Sequence, residues 1–271
     1  MLAHEIKFTY SGEIEALKGV DLHLRGGDYI AIVGGNGSGK TTLAKTLNGL
    51  LRPSHGFITI GGLQISQMTV AEIARHVGYA FQNPDHQLFC SSVQEEVEFG
   101  PRNLGFDESV RKERTDHAIS IMGLEDVRDK PPLSLTLGLR RRVTIASVIA
   151  MDPRVMILDE PTTGLDEREV DSLMENIASL NEEGHTIILI THDMKLVAQH
   201  ARRVLVMANG RVVLDSDPRG AFSDLEVLKG SSLEPPPVTL LAHRLAAHGV
   251  RDDAVFAEEL VRSVLSSRGV R

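Results

Sequence analysis

The sequence predicts an α/β protein built on a largely parallel sheet, and three observations carry that expectation. Over the first 225 residues, short apolar runs alternate with segments of helical periodicity, the pattern that strands and crossover helices leave in a chain. "YIAIV" (29–33), "VMIL" (155–158) and "TIILI" (186–190) are apolar throughout and rich in β-branched residues, as strands are when helices cover both faces. The third is a glycine-rich stretch, "GGNGSGKTT" (34–42), between the first of those runs and the helical "LAKTLNGLL".

The remaining elements follow in order. "HEIKFTY" (4–10) and "VDLHL" (20–24) alternate polar and apolar residues, which predicts half-exposed antiparallel strands ahead of the parallel core. Residues 107–129 and 166–183 combine helical periodicity with many charges, so helices with a solvated face are expected there. "PPP" at 235–237 cannot continue a helix or a central strand. Beyond it, "VTLLAHRLAAHG" and "DAVFAEELVRSVLSSRG" each read as a short amphipathic helix ending at glycine. Residues 1–225 are therefore expected as one domain and residues 226–271 as a small C-terminal appendage.

Composition narrows the function. The 271 residues, 42% hydrophobic and 24% charged, suffice for a sizeable core. A net charge of −8 speaks against a general nucleic-acid binder, because phosphate contacts want a basic surface. No apolar run approaches the roughly 20 residues of a membrane span, and "MLAHEIKFTY" lacks the layout of a secretion signal. The single cysteine, Cys90, fits a reducing compartment and reads most simply as a small side chain near a loop. A chain in the cytosol, or on the cytosolic face of a larger assembly, is expected.

Chemistry enters with the glycine-rich stretch, which matches G-x-x-x-x-G-K-[ST] through Gly34, Gly39, Lys40 and Thr41. Glycines let the backbone curl until several N–H groups face one anion, and the following helix adds its positive N-terminus. Gly34, Gly35, Asn36, Gly37, Ser38, Gly39, Lys40, Thr41 and Thr42 form the expected cradle for a nucleoside triphosphate. Lys40 would reach the β- and γ-phosphates, and the Thr41 hydroxyl would ligate Mg²⁺. "VMILDE" ends a strand in two acids, which belong at the carboxyl edge of the sheet where ligands of such folds bind. Asp159 would hold Mg²⁺ through water and Glu160 would act as general base on the attacking water; the alternative is an acidic turn capping the next helix. His192, just past "TIILI", could hydrogen-bond the γ-phosphate or simply pack.

With "YAFQNP" (79–84), "VMILDEPTTGLD" (155–166) and "ITHD" (190–193) in that order, residues 1–225 resemble the ATP-binding subunits of ABC transporters. The resemblance implies a P-loop NTPase with a RecA-like parallel core, an N-terminal antiparallel β subdomain and a helical subdomain near 83–145. It implies ATP and Mg²⁺ as cofactors, Gln82 as the glutamine that senses Mg²⁺ and the attacking water, and His192 as the switch. Gly164-Leu165-Asp166 would communicate across a dimer. Tyr10 would stack on adenine, or else pack within its strand.

"YAFQNPDHQLFCSSVQEEVEFGPRNLG" (79–105) and "EPPPVTLLAHRLAAHG" (234–249) are similar, more narrowly, to the ATPases of energy-coupling-factor importers of vitamins and transition-metal ions. That similarity implies a peripheral ATPase on the cytoplasmic face of the cell membrane. Its partners would be a second ATPase chain, a transmembrane coupling protein and a small substrate-binding membrane protein, with no nucleic acid. The segment after Gln82 is where a groove for the coupling protein is expected. Leu88 and Phe89 would supply apolar grip, and Asp85, Glu95 and Glu96 would meet a basic partner; ordinary packing is the alternative. An ordinary ABC importer or a soluble ABC ATPase are the rival readings.

One motif departs from the family, whose LSGGQ sequence grips the γ-phosphate bound to the other subunit. Aligned on "RVTIA" (142–146), "LTLGL" (135–139) is its equivalent. Thr136 and Gly138 then keep cross-dimer roles beside Asp166, while Leu137 and Leu139 replace a glycine and the glutamine. A register two residues earlier would restore "LS" but needs an insertion before the arginines. A leucine Cβ resists the close approach a glycine allows, and each hydrogen bond lost to a charged group costs about 1.5–3 kcal/mol. The expected outcome is an asymmetric heterodimer, with one site weakened by this loop. Arg140, Arg141 and Arg142 form a solvated basic face, or else meet an anion or acidic partner.

Overall fold

The computed structural model describes residues 1–11 and 13–267. The chain opens with strands β1 (Leu2–Tyr10), β2 (Ile14–His23) and β3 (Tyr29–Val33), then helix α1 (Lys40–Leu47). β4 (His55–Ile60), β5 (Leu63–Gln64), α2 (Val70–Ala74) and β6 (Val77–Ala80) lead into α3 (Val93–Asn103), α4 (Glu108–Ile121) and α5 (Leu137–Ile149). Strands and helices then alternate: β7 (Val155–Asp159), α6 (Glu167–Glu182), β8 (Thr186–Ile190), α7 (Met194–His200) and β9 (Arg203–Ala208). β10 (Arg211–Ser216), α8 (Pro218–Ser223), α9 (Leu225–Gly230), α10 (Pro237–Leu245) and α11 (Ala257–Ser267) complete the described chain.

Among the described residues the strands form two sheets, a four-stranded one in the order β2-β1-β4-β5 and a six-stranded one in the order β10-β9-β3-β8-β7-β6. The first is antiparallel, as the polar/apolar alternation predicts. In the second, β9, β3, β8, β7 and β6 run parallel, and β10 closes the edge antiparallel to β9. All five residues of β3, β7 and β8 are buried. Period-two alternation splits them between two cores. Ile157, Ile188 and Ile190 face α1 and the antiparallel sheet, whereas Met156, Leu158, Ile187 and Leu189 face α3, α4, α5 and α6. The class is the α/β fold the sequence predicts.

A third core joins α7, α8 and α9 to β9 through Val197, Phe222 and Leu228. Beyond the prolines, Ala242, Val250, Ala254 and Leu260 make a small separate cluster, with Val264 packed against it. Phe256, at the i−4 and i−8 positions from Leu260 and Val264, is 39% exposed. Its neighbour Val255 turns inward to the third core. α10 extends through a 3₁₀ turn to Gly249, whose φ of +78° ends it at a glycine as expected. The terminal glycine expected for α11, Gly269, lies outside the described residues.

Candidate active site

Parallel strands bring their carboxyl ends to one edge, and the register aligns them. Ile32 pairs with Ile190, Asp159 pairs with Ile190, and Ala80 pairs with Leu158. The loops after β3, β6 and β7 and the end of β8 therefore open on a shared cleft of about 450 Å³.

The phosphate loop occupies one wall. Gly37 and Gly39 take φ of +75° and +104°, and a Cβ on Gly39 would lie 2.7 Å from the Ala16 carbonyl oxygen of β2, so glycine is needed for both conformation and space. The Lys40 ammonium donates to the carbonyls of Gly34 (2.7 Å) and Gly35 (3.0 Å). Burial pulls its pKa below the ordinary lysine value, while the Glu160 and Asp159 carboxylates oppose that shift. Tyr10 stands at the mouth, 41% exposed, with its ring edge-on to Phe8 and its hydroxyl 3.2 Å from the Thr42 hydroxyl.

The opposite wall carries the acids. Asp159 is buried and accepts a 2.7 Å hydrogen bond from the Tyr79 hydroxyl. Burial, with the Asp159 charge second, holds the Tyr79 phenol far above the usual tyrosine range. Glu160 takes φ of +49°, a costly conformation for a residue with a Cβ that persists where the surroundings impose it. Its N–H donates to the Ile190 carbonyl at 2.8 Å. Its carboxylate is 2.9 Å from His192 Nδ1 and accepts from the Thr163 hydroxyl at 3.4 Å. His192 is not a packing residue, since 72% of its side chain is exposed.

The structure sorts the expected site residues into groups. Asn36, Gly37, Ser38, Gly39, Thr41 and Gln82 line the cleft, together with Tyr10, Lys40, Thr42, Asp159 and Glu160. Gly34 and Gly35 lie behind it. A Cβ on Gly34 would collide with the Met207 carbonyl oxygen, and the Gly35 N–H donates to the Ser231 carbonyl at 3.0 Å. Thr136, Gly138 and Asp166 do not line the cleft. They gather where two helices begin: Thr136 caps α5 through Leu139 N at 3.4 Å, and Asp166 caps α6 through Glu169 N at 2.9 Å. The Glu169 carboxylate fills the space a Cβ on Gly138 would need, and Leu137 lies against Gly164. Leu139 packs on the main core.

Several expectations are corrected by burial. Leu88 is 4% exposed and belongs to the main core, whereas Phe89 is 63% exposed and edge-on to Phe99. Glu96 is also inside, its carboxylate accepting the N–H groups of Phe89 and Cys90 at 2.8 Å each; it offers nothing to a basic partner. The arginine run is no solvated face. Arg140 pairs with Asp85 at 2.6 Å, Arg142 donates to the Met122 carbonyl at 3.1 Å, and Arg141 is buried at 5% exposure. Cys90 takes no part in the cleft; burial and the Glu96 and Glu95 carboxylates push its thiol up to about 11.

Two residues that touch the site geometry, Tyr79 and Arg141, escape sequence reasoning. Tyr79 carried a weak signal as the one hydroxyl in an apolar strand three residues before Gln82. For Arg141 the run itself was visible but its inward member was not.

The model of the ABC transporter family matches residues 17–163. A putative ABC transporter ATP-binding protein of Caldanaerobacter subterraneus is 45% identical over 243 residues, covering 90% of this chain but 43% of the relative. The chain thus spans under half the length of that protein. The energy-coupling factor transporter ATP-binding protein EcfA of Methanoculleus marisnigri is 38% identical, over 94% of this chain and 92% of the relative. Among solved structures, CbiO1 of Clostridium perfringens, described as part of the ABC transporter complex CbiONQ, is 38% identical. It superposes with a TM-score of 0.75 over 91% of this chain and 96% of that one. The cleft, its order of motifs and these matches agree: the chain belongs to the ABC transporter ATP-binding family, a family of ATPases.

Proposed function

We propose that this chain is the ATP-hydrolysing motor of an energy-coupling-factor-type importer of a micronutrient, a vitamin or a transition-metal ion. It works on the cytoplasmic face of the cell membrane as a sandwich dimer with a different ATPase chain. Its membrane partners are a transmembrane coupling protein and a small substrate-binding protein. One observation carries the catalytic part: Lys40, Asp159 and Glu160 share a cleft in which Glu160 is bonded to an exposed histidine. The names of the EcfA and CbiO1 relatives support the type of importer. No described helix is long and apolar enough to cross a bilayer. Residues 226–271 serve as a C-terminal appendage to the 1–225 domain.

The residues present suit a nucleoside triphosphate. Loop N–H groups and the start of α1 bind the phosphates, and Lys40 exchanges the Gly34 and Gly35 carbonyls for phosphate oxygens. Tyr10 offers an exposed ring to the base. Glu160 accepts the proton of the attacking water, which Gln82 helps to orient. Because a carboxylate only accepts, His192 Nδ1–H donates to Glu160, and Nε2 can then donate to a γ-phosphate only as imidazolium. Among the described residues no group of three His, Cys, Asp or Glu side chains could hold a metal. Thr41, Gln82 and, through water, Asp159, which all line the cleft, would hold Mg²⁺. Mg²⁺, when bound, would supply positive charge that offsets the negative charge of the phosphates during hydrolysis.

Tyr79 orients Asp159, so Tyr79→Phe should raise the Mg²⁺ concentration for half-maximal ATPase about 10-fold. A magnesium titration of hydrolysis reads this directly, and an unshifted midpoint removes the role.

The loop at 135–139 supports the asymmetric dimer. Thr136 heads α5 whereas Ser134 lies in the preceding 3₁₀ turn, which favours the register that puts leucines at 137 and 139. The site built from the partner's phosphate loop and this loop is then the weak one. Leu137→Gly with Leu139→Gln should raise ATPase of the two-chain complex about 10- to 100-fold. Since Leu139 packs on the core, the same pair should lower stability by about 1–2 kcal/mol.

The reading as a whole is tested by purifying the tagged chain from native membranes in mild detergent. Co-purification of a second ATPase with an intact signature and of small multi-span proteins is the expected result. Recovery of the chain alone, or with ribosomal or DNA-bound material, overturns the transport assignment.

A further inference from the structure

We infer that Arg141 is a positioning residue that holds the two catalytic loops at a set separation and ties both to the start of α5. One nitrogen, Nη1, donates to the Gln82 carbonyl at 3.0 Å and to the Glu160 carbonyl at 3.0 Å. Gln82 follows β6 and Glu160 follows β7, so a single guanidinium bridges main chain from adjacent strand ends. The residue is 5% exposed, and a charge so buried persists only where its surroundings compensate it. Here the compensation is the pair of carbonyls and the negative charge of Glu160, which opposes the effect of burial on the arginine. Among the described residues its Nε has no partner. A residue kept for packing alone could be apolar; what this one adds is a fork aimed at both loops.

The bridge has a direction. Arg141 lies one turn into α5, whose first residues Leu137 and Gly138 contact Gly164 and Glu169. Arg140, next to it, pairs with Asp85 in the segment just past Gln82. The beginning of α5 is thus joined to the Gln82 loop twice and to Glu160 once. Resting on the reading that Gln82 and Glu160 act on one ATP, Arg141 makes that site respond to what meets the start of α5. Loss of the fork should leave the phosphate cradle intact, because neither of its bonds reaches residues 34–42.

The test uses the two-chain complex carrying this chain as wild type, Arg141→Met or Arg141→Lys, with hydrogen exchange of this chain, MgATP binding and single-turnover hydrolysis. For Arg141→Met we expect amide exchange at 80–84 and 159–163 to rise about 10-fold or more, with β3 and α1 unchanged. ATP binding should hold within about 3-fold while hydrolysis falls about 30- to 100-fold. Arg141→Lys, which keeps the charge on a shorter side chain without the planar guanidinium, should recover part of the rate and of the protection. The inference is overturned if exchange and turnover are unchanged, or if binding and hydrolysis fall together with a general rise in exchange. It is also overturned if lysine restores nothing while folding normally. Failure of the wild-type two-chain complex to bind or hydrolyse MgATP would instead sink the functional reading, and the paired rise in exchange would still report the bridge.

Discussion

Glu160→Gln should stop turnover while sparing nucleotide binding. The amide is almost isosteric, so it can still accept from the Thr163 hydroxyl and lie against His192. The strained backbone stays held by the Glu160 N–H bond to Ile190 and the Arg141 bond to the Glu160 carbonyl. What disappears is the basicity that takes a proton from water. A positioned general base contributes about 10²–10⁴ in rate, so hydrolysis should fall by that factor while MgATP affinity stays within about 3-fold, the phosphate contacts being untouched. Single-turnover hydrolysis beside equilibrium nucleotide binding checks both. Turnover within about 3-fold of wild type would remove Glu160 as the base.

Glu96→Ala should give the largest loss of stability. The Glu96 side chain is buried, and its carboxylate is the acceptor for two consecutive backbone N–H groups, Phe89 and Cys90. Alanine leaves both donors without their partner and opens a space beside the core. Each charge-assisted bond is worth about 1.5–3 kcal/mol, which sums to about 3–6 kcal/mol and a fall in Tm on the order of 10 °C. The same carboxylate sets the loop that holds Phe89 at the surface, so the variant should also lose membrane association at temperatures where it is still folded. Glu95→Ala is the contrast. That side chain is exposed and bonded to Ser91, and its loss should move stability by less than about 1 kcal/mol. Equal thermal shifts for the two variants would contradict the assignment of Glu96 as an internal acceptor.

Much of the site was readable because its chemistry is local. The loop at 34–42 needs glycines at set offsets, and its lysine and threonine follow directly. The acids stand at the end of a buried strand, and parallel strands deliver their ends to one edge whatever the connections are. Strand type was readable for a similar reason, since a run buried on both faces cannot alternate. The sequence by itself therefore determined the α/β class, the buried strands that carry the site and most of the residues lining the cleft.

Adjacent residues on helices and turns are a different matter. Glu95 and Glu96, Leu88 and Phe89, and Arg140, Arg141 and Arg142 look alike in sequence yet end in different surroundings. Successive residues of a helix point about 100° apart, so one faces solvent and its neighbour the core. Which is which depends on how the helix is rotated against the sheet. That rotation is set by the packing of α3, α4 and α5 on one another and on β6 and β7, contacts between residues far apart in the chain. Tertiary structure alone decided that Glu96 is an internal acceptor and that Tyr79 steadies Asp159. It alone turned Arg141, of three arginines in a row, inward between Gln82 and Glu160.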